Sequence, residues 1–401
     1  MGKFTVIVLD SYGVGYMDDV IKTRPEDFGA NTAKHIFEKT PGLKLPTLEK
    51  LGLMNALNME TENMKKNPDA VFGKSSLMHF NADTFYGHQE IMGTNPKHPI
   101  MEPFSKKIDI VYNELIKKGY NVEYIGEKLK ILLVNNCVTV GDNLEADGGQ
   151  AYNVTSTFDK ISFEEVIEIG KIVRSQVQVS RVIAFGGKDV TKDDLINSIE
   201  TKDDTYIGVN APKSGVYNKD YLVIHLGYGI DPEVQIPTIL GKNNIPVTLI
   251  GKVADIVENR YGKSIPGVDT EYVMKQTIEE FKKMKDGFIC TNVQETDLAG
   301  HAENVERYVE KLKVSDKYIK QLIDIMEDDD YLIVMADHGN DPTIGHSHHT
   351  RENVPLLIYN KNKKNINIGH RKTMSDVGAT VAEYFKIEAP ENGTSFLNQI
   401  I

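Results

Sequence analysis

The sequence has few cysteines and no long apolar run, and both absences limit what the protein can be. Only Cys137 and Cys290 occur among 401 residues, so at most one disulfide could form. Both lie in apolar runs, where an isolated Cys is usually a small buried hydrophobe, and we predict that neither is catalytic. The longest apolar runs, such as Phe4 to Leu9 and Tyr331 to Ala336, are far shorter than the roughly 20 residues that span a bilayer. We therefore expect no membrane segment.

Secretory features and an excess of positive charge are absent as well. The chain enters a predicted strand directly after its first three residues, without the basic and apolar regions of a signal peptide, so a cytoplasmic location is expected. Lys and Arg number 46 against 58 Asp and Glu, which gives a net charge of −12. This balance argues against nucleic acid or an anionic membrane as the main partner. An anionic substrate would need a locally positive pocket.

Short apolar segments alternate with helical patterns, which is typical of a parallel α/β sheet. The predicted strands are Phe4–Leu9, Val247–Ile250, Gly287–Cys290, Tyr331–Ala336 and Val354–Tyr359. The predicted helices are Thr270–Lys282, Asn304–Glu327 and Ser375–Phe385. The middle of the chain has weaker strands and loops rich in Gly, Asn and Lys. We predict a catalytic α/β core of residues 1–99 and 222–401, with a mostly parallel sheet flanked by helices, and an inserted smaller α+β cap domain, residues 100–221, that binds substrate.

Three Asp residues stand at or just beyond the ends of predicted strands. Asp10 ends VIVLD, Asp337 ends YLIVMAD, and Asp297 lies a few residues after Gly287–Cys290. Because ligands of open α/β sheets bind at the carboxyl ends of the strands, these carboxylates are expected to face one site. A single Asp after a strand is most often a turn residue. The neighbouring residues therefore decide between the two interpretations.

Histidines accompany two of these Asp residues. His301 follows Asp297 by four positions in DLAGH, His338 follows Asp337 directly, and four of the 11 His fall between positions 338 and 349. Capping by polar side chains is the alternative, but a surface loop rarely needs so many imidazoles. The pattern predicts a binuclear metal cage made of Asp10, Asp297, His301, Asp337, His338 and His349.

Mixed carboxylate and imidazole ligation without thiolate suits Mn²⁺ or Zn²⁺ better than purely oxygen-ligated Mg²⁺ or Ca²⁺. We expect two divalent ions, with Mn²⁺ as the prediction and Zn²⁺ or Mg²⁺ as alternatives. Three carboxylates and two such ions leave a net charge of about +1, which attracts a phosphate. Two metals can also stabilise both the attacking and the leaving oxygen of a phosphoryl transfer.

A hydroxyl that could accept the phosphate lies in NADTFYGHQEIMG, residues 81–93. Asp83 or Thr84 could be a helix N-cap, whose oxygen accepts a backbone N–H. Alternatively, Thr84 could be a metal-activated nucleophile at a helix N-terminus. The sequence leaves both interpretations open. His88 either packs, which we favour, or positions substrate. DSYGVG lacks the third Gly of a dinucleotide fingerprint and is interpreted as a turn that frees Asp10 to reach metal.

The chain resembles the phosphopentomutases of the alkaline phosphatase superfamily from the first strand to the C-terminus. The matching motifs are LDSYGVG, LPTLEKLGL, DTFYGHQEIMG, LIGKVADI, ADHGNDP followed by HTRENVPLLIY, SDVGATVAEYF and GTSFLNQI. The resemblance implies an alkaline-phosphatase-like core. It also implies that Asp10, Thr84, Asp337 and His338 surround one metal and that Asp297, His301 and His349 surround the other. Thr84 would then be phosphorylated and would pass phosphate between C1 and C5 of ribose or deoxyribose through a bisphosphate.

The chain departs from the family mainly in the predicted cap. Arg181 and Lys252 match a family Arg and Lys, but APKSGVYNKDY replaces an Arg-rich stretch, so Lys213 or Lys219 would have to supply charge. A Lys is a point charge and does not replace the bidentate fork of Arg. Ser156 stands where the family has Asp, and Gln89 where it has Trp. DLAGH spaces Asp and His as cofactor-independent phosphoglycerate mutases do.

These departures leave the sugar open. The leading hypothesis is a phosphomutase whose partner is a small phosphorylated sugar, a pentose phosphate or a related compound. A metal-dependent phosphomonoesterase that uses the same Thr84 is the alternative from another enzyme class. A non-catalytic metal-binding regulator is disfavoured by the complete ligand set.

Overall fold

The computed structural model describes residues 2–146 and 148–401. Its strands are β1 (Lys3–Leu9), β2 (Val71–Ser75), β3 (Val122–Ile125), β4 (Ile131–Val134), β5 (Val138–Asp142), β6 (Ala151–Thr157), β7 (Arg181–Gly187), β8 (Ile199–Lys202), β9 (Tyr206–Val209), β10 (Leu222–Gly227), β11 (Val247–Ile250), β12 (Lys263–Ile265), β13 (Gly287–Val293), β14 (Tyr331–Met335), β15 (Val354–Tyr359) and β16 (Ile366–Arg371). Its α-helices are α1 (Val20–Thr23), α2 (Thr32–Lys39), α3 (Pro46–Leu51), α4 (Leu53–Leu57), α5 (Thr84–Ile91), α6 (Ile108–Lys117), α7 (Phe163–Gln176), α8 (Lys192–Asn197), α9 (Ala211–Ser214), α10 (Ile236–Lys242), α11 (Lys252–Ile256), α12 (Thr270–Lys283), α13 (Glu295–His301), α14 (Val305–Ile325), α15 (Ser375–Phe385) and α16 (Leu397–Ile400).

The chain folds as two compact units. Unit 1 comprises Met1–Pro96 and Asp231–Ile401, and unit 2 comprises Lys97–Ile230. The sequence placed the return to the core at residue 222, nine positions earlier. The difference arises because β10 pairs antiparallel with β7 and so belongs to unit 2. Among the described residues, no helix is both long enough and apolar enough to cross a membrane.

Unit 1 contains an eight-stranded sheet in the order β12-β11-β13-β1-β14-β15-β2-β16. Its first five strands are parallel to one another, and β15 runs antiparallel to both of its neighbours. Every residue of β1 is buried, because β13 and β14 flank it and both of its faces are covered. The sequence of a strand that is buried on both faces is a nearly continuous apolar run, and for this reason VIVL could be recognised as a strand. The predicted mostly parallel sheet is confirmed.

Helices cover both faces of this sheet, as two consecutive residues of β13 demonstrate. Thr291 Oγ1 lies 2.7 Å from Thr277 Oγ1 of α12, whereas Asn292 Nδ2 lies 3.0 Å from His88 Nε2 of α5. Successive side chains of a strand point to opposite faces. Helices α12 and α5 therefore lie on opposite sides of the sheet, and the predicted α/β core is confirmed.

Unit 2 has its own six-stranded sheet in the order β10-β7-β6-β5-β4-β3. Only β6 and β7 pair in parallel, and α6 and α7 pack on each other beside an apolar core that includes Val111, Val154 and Ile169. The prediction of an inserted α+β unit is confirmed. The sequence indicated only weak strands here, but every residue of β4, β5 and β6 is buried. Buried polar residues, among them Thr139, Asn153 and Thr155, interrupt the apolar runs of β5 and β6.

Candidate metal centre

Four neighbouring parallel strands bring polar side chains to one edge of the unit 1 sheet. Asp10 directly follows β1, Asp337 lies two residues after β14, and Asp297 lies on α13 just beyond β13. Lys252 is the first residue of α11, which follows β11. Because the carboxyl ends of adjacent parallel strands meet at the same edge, side chains from distant parts of the chain converge there.

The predicted carboxylates and imidazoles form two adjoining groups. One ligand atom each from Asp10, Asp337 and His338 lie within 4.8 Å of one another, and so do atoms from Asp297, His338 and His349. His301 adjoins the second group, because its Nε2 is 3.0 Å from His349 Nε2 and 3.5 Å from Asp297 Oδ2. The structure thus brings all six predicted residues together, and it places His338 between the groups.

Backbone carbonyls orient the three imidazoles. Nδ1 of His338, His301 and His349 donates to the carbonyl oxygens of Gly339 (2.9 Å), Ser347 (2.7 Å) and Ala82 (2.8 Å). A carbonyl oxygen only accepts, so each Nδ1 carries the proton and each Nε2 keeps its lone pair in the neutral ring. Metal-binding histidines are commonly fixed by such contacts. The orientation of all three rings therefore fits metal ligation.

Two buried atoms of the first group have no hydrogen-bond partner within residues 2–146 and 148–401, and these atoms suit a cation. They are Asp10 Oδ1 and His338 Nε2, which lie 3.5 Å apart. Burial lowers the pKa of His338 to about 4, so its imidazole is neutral at physiological pH. Burial and the adjacent Asp337 carboxylate raise the pKa of Asp10 to about 7. A divalent ion would supply the positive charge that favours ionised Asp10.

The other two carboxylates are held ionised by their partners. Burial alone would raise the pKa of Asp337, but His338 and His88 hold it well below its usual range. Asp297 likewise has its pKa lowered against the effect of burial, by His301, His349 and Lys252. In return, Asp297 raises the pKa of His301 and, despite burial, that of His349. Protons and metal ions would therefore compete for these two imidazoles.

Lys252, which the sequence assigned to substrate, lies inside this cluster. Its Nζ is 2.9 Å from Asp10 Oδ2 and 3.3 Å from Asp297 Oδ2. Burial opposes its charge, but the two carboxylates raise the pKa of Lys252 above its usual range. The positively charged Lys252 therefore contacts a carboxylate of each ligand group, Asp10 in the first and Asp297 in the second.

The structure gives Asp83 and Thr84 different roles at the start of α5. Asp83 is the N-cap of α5, because its side chain accepts the backbone N–H of Tyr86 at 3.1 Å. Thr84 is the first helical residue, and its Oγ1 donates to Asp337 Oδ2 at 2.7 Å. The capping role thus falls to Asp83, which leaves the Thr84 hydroxyl directed at a candidate metal ligand.

A buried bridge behind the cluster was missed in the sequence. His88 donates from Nδ1 to the carbonyl oxygen of Thr84 at 2.9 Å, and its Nε2 accepts from Asn292 Nδ2 at 3.0 Å. The same amide donates to Asp10 Oδ2 at 3.0 Å. His88 is fully buried, in agreement with the packing role that we favoured. The available signal for Asn292 was a polar residue near the end of an apolar strand.

Within unit 2, two predicted substrate residues lie far from each other. Arg181 is opposite Ala151 in the β6–β7 register, whereas Ser156 is opposite Gly186, five positions further along. At about 3.3 Å per residue, this separation is roughly 16 Å. Ser156 is fully buried, and its hydroxyl donates to the carbonyl oxygen of Phe185. Arg181 and Ser156 therefore do not form a single phosphate site.

The two Lys residues proposed to replace family Arg residues are paired with carboxylates in unit 2. Lys213 Nζ lies 2.8 Å from Glu200 Oε1, and Lys219 Nζ lies 2.6 Å from Asp189 Oδ2. All four side chains are well exposed, so these pairs contribute little to stability. They do reduce the positive charge that either Lys offers to a substrate.

The fold and the ligand cluster together define a class of metal-dependent enzymes. The sequence model of the family described as the metalloenzyme superfamily matches residues 2–389. This family binds divalent metal ions, and the residues at the strand ends fit that requirement.

Relatives narrow the class to one family. The chain is 31% identical to the phosphopentomutase of Alkaliphilus oremlandii over the full length of both. It is also 31% identical to the phosphopentomutase of Caldanaerobacter subterraneus over 99% of this chain and 98% of that protein, and 29% identical to that of Clostridioides difficile over 99% of each. The chain belongs to the phosphopentomutase family. It is a metal-dependent phosphomutase and therefore an isomerase, as the sequence predicted.

Proposed function

We propose that this phosphomutase moves a phosphate between C1 and C5 of ribose or deoxyribose, through a phosphothreonine at Thr84 and a sugar bisphosphate. The observation that carries the proposal is the 2.7 Å hydrogen bond from Thr84 Oγ1 to Asp337 Oδ2 at the edge of the ligand cluster. Relatives named phosphopentomutase that match the whole chain support the pentose.

Two divalent ions, Mn²⁺ in our proposal, complete the site. Asp10, Thr84, Asp337 and His338 would hold one, and Asp297, His301 and His349 the other. When bound, such ions neutralise phosphate charge and lower the pKa of a coordinated hydroxyl. Lys252 adds a fixed positive charge toward the substrate phosphate.

The transfer balances in both bonds and protons. When the sugar hydroxyl oxygen attacks phosphothreonine, the phosphorus–Thr84 oxygen bond breaks and a phosphorus–sugar oxygen bond forms. The proton lost by the sugar hydroxyl balances the proton that Thr84 Oγ1 regains, and the restored hydroxyl can donate again to the ionised Asp337 Oδ2. Return of the other phosphate to Thr84 reverses the transfer and leaves the isomerised sugar phosphate.

Unit 2 takes the role of the substrate-binding cap in this proposal, with Arg181, Lys213 and Lys219 as its candidate contacts. The buried Ser156 hydroxyl, which donates to the carbonyl oxygen of Phe185, would support the strand instead of contacting substrate. A second candidate substrate is another small phosphorylated sugar. The ion pairs of Lys213 and Lys219 favour it, because neither Lys offers the unpaired, bidentate charge that a family Arg offers.

The test is mass spectrometry of the purified protein after incubation with Mn²⁺ and ribose 1,5-bisphosphate. We expect one phosphate on Thr84 in the wild type and none in Thr84→Ala. Thr270→Ala is a matched control, since Thr270 is also the first residue of a helix capped by Asp, and its hydroxyl also donates to a carboxylate, that of Glu295. This variant should remain phosphorylated at Thr84.

Other results would exclude the proposal in defined ways. Absence of a phosphorylated protein with a panel of sugar bisphosphates would exclude the covalent mutase. Phosphorylation by a hexose bisphosphate but not by the pentose compound would favour the second substrate. Steady release of inorganic phosphate without isomerised product would indicate a phosphomonoesterase.

A further inference from the structure

The segment between β2 and α5, residues 76–83, leads directly to Thr84 and lacks regular secondary structure. We call it the pre-α5 loop. Leu77, His79 and Ala82 are buried, so the backbone around them is largely out of contact with water. Buried backbone N–H and C=O groups need partners. At the two ends of the loop, the Ser76 N–H donates to the carbonyl oxygen of Arg371 in β16 and the Asp83 carbonyl oxygen accepts from the Gly87 N–H of α5. Between these ends, side chains supply partners.

The guanidinium of one residue, Arg351, donates hydrogen bonds to three carbonyl oxygens of the loop. Arg351 donates from Nη1 to the carbonyl oxygens of His79 (2.8 Å) and Asn81 (2.5 Å), and from Nη2 to that of Leu77 (3.2 Å). Its Nε contacts both carboxylate oxygens of Asp19 at 3.0 Å. The Arg351 side chain is 7% exposed, so its contacts with the three carbonyl oxygens are largely shielded from water, whereas the Asp19 side chain is 41% exposed.

A single carboxylate pairs N–H groups of the same loop. Glu90 lies on α5, one helical turn and a half beyond Thr84, and is fully buried. It accepts the backbone N–H of Met78 at 3.0 Å and that of His79 at 3.0 Å, and it also accepts Nδ1–H of His79 at 2.7 Å. Two buried side chains of opposite charge therefore hold the loop, one by its carbonyl oxygens and the other by its N–H groups.

The last contact connects this loop to the metal centre. His349, two residues before Arg351, donates from Nδ1 to the carbonyl oxygen of Ala82 at 2.8 Å. His349 and Arg351 together therefore bind four carbonyl oxygens of the loop, those of Leu77, His79, Asn81 and Ala82. Only Asp83 separates Ala82 from Thr84.

We propose that Arg351 and Glu90 are positioning residues that fix the place of Thr84 Oγ1 relative to Asp337 by holding the pre-α5 loop. The inference rests on the proposed role of Thr84. Arg suits the position because its planar fork reaches three carbonyl oxygens and a carboxylate together. A Lys in its place keeps the charge, but its single nitrogen cannot make this set of contacts.

The test combines kinetics with hydrogen exchange in the metal-loaded full-length protein. We expect Arg351→Lys and Glu90→Gln to keep wild-type metal content and KM, while kcat falls by about 100-fold, because a displaced nucleophile loses alignment. Amide exchange in residues 77–84 should become faster on the order of tenfold, because the hydrogen bonds that protect the loop are lost. Glu90 also accepts the Thr373 hydroxyl and the Met374 N–H, so Glu90→Gln should affect exchange there too. Exchange in the rest of unit 1 should stay close to that of the wild type.

Arg174→Lys serves as the control for the exchange measurement. The Arg174 guanidinium also donates to three carbonyl oxygens, those of Val177, Val179 and Leu226, but in unit 2. We expect this variant to leave exchange in residues 77–84 unchanged.

Wild-type kcat in either folded variant, or wild-type exchange in residues 77–84, overturns the proposal. If Arg351→Lys does not fold, Glu90→Gln decides alone. Failure of the phosphothreonine mechanism is recognised separately, because the wild type would then carry no phosphate on Thr84. The exchange measurement would still report whether Arg351 and Glu90 hold the loop.

Discussion

Gly87 faces Asp337 so closely that a Cβ on Gly87 would lie 2.9 Å from the carbonyl oxygen of Asp337 and 3.0 Å from its Cβ. Helix α5 therefore packs against the strand end that carries a candidate metal ligand. The same helix carries Thr84 at its first position. The missing side chain of Gly87 is what lets the Thr84 hydroxyl reach the Asp337 carboxylate.

Gly87→Ala should consequently lower both stability and activity. The added methyl group forces α5 away from Asp337, at a cost of about 1–3 kcal/mol in the free energy of unfolding, as for other overpacked sites. The displacement carries Thr84 with it, so we expect kcat to fall by about 10- to 100-fold. Steady-state kinetics and thermal unfolding of the same preparation measure both quantities. A wild-type kcat would mean that α5 does not set the position of Thr84.

Metal removal should destabilise unit 1, because Asp10, Asp297 and Asp337 then lie close together without the positive charge of the ions. A ligand that binds only the folded state adds about 2.7 kcal/mol at 100 times its Kd. We expect chelation to lower the melting temperature and added Mn²⁺ to restore it in proportion to the logarithm of its concentration. A melting temperature that does not respond to either treatment would contradict metal binding by this cluster.

His349→Ala should lower the metal content from two ions per chain towards one. His349 Nε2 lies 3.3 Å from Asp297 Oδ1 within the second ligand group. His348→Ala is the matched control, since His348 belongs to the same HSHH run but is exposed and outside both ligand groups. Elemental analysis of the two variants measures the difference. Equal metal content in both would remove His349 from the ligand set.

The ligand cluster was predictable because sheet geometry determines it. Asp10 and Asp337 end strands whose continuous apolar runs are visible in the sequence, and the carboxyl ends of parallel strands share one edge. The sequence did not reveal that β1 lies between β13 and β14, yet any parallel order would have brought these carboxylates to the same edge. Strand ends and direction therefore predicted the shared edge, whereas the close approach of the three carboxylates depends on β13, β1 and β14 being neighbours.

The supporting residues were not predictable, because their roles depend on contacts between distant parts of the chain. Arg351 meets the carbonyl oxygen of Asn81 across 270 positions, and Asn292 meets His88 across 204. No local pattern marks such a partner. The end of unit 2 differs from the predicted residue 221 for a similar reason, since the pairing of β10 with β7 places residues 222–227 in that unit.

Replacement of Lys252 should affect metal and substrate in opposite directions. Lys252→Met keeps a chain of similar length but removes the positive charge that lies 2.9 Å from Asp10 and 3.3 Å from Asp297. The carboxylates then attract a divalent ion more strongly, so we expect Mn²⁺ affinity to rise at least about tenfold. A phosphate loses an attractive charge, so KM should rise. Calorimetry and kinetics check the two signs, and weaker Mn²⁺ binding would contradict this electrostatic account.

Glu90 should make the stability of unit 1 depend on pH in the acid range. Burial opposes its ionisation, but hydrogen bonds from His79, Thr373 and the Met78 N–H lower the pKa of Glu90 below its ordinary value of 4.5. An acid whose pKa is depressed by folding binds more protons in the unfolded chain. Its stabilisation is therefore fully present above 4.5 and is lost as the pH falls through the lower pKa of the folded state.

Glu90→Gln isolates this contribution, because Gln does not titrate. At neutral pH we expect the variant to be less stable than the wild type by about 2–3 kcal/mol, since hydrogen bonds to a buried charge are lost. The gap between the two proteins should narrow as the pH is lowered below 4.5, because the wild type then also carries an uncharged side chain at this position. Thermal unfolding from pH 7 to pH 4 measures it. A gap that stays constant over this range would mean that folding leaves the pKa of Glu90 unchanged.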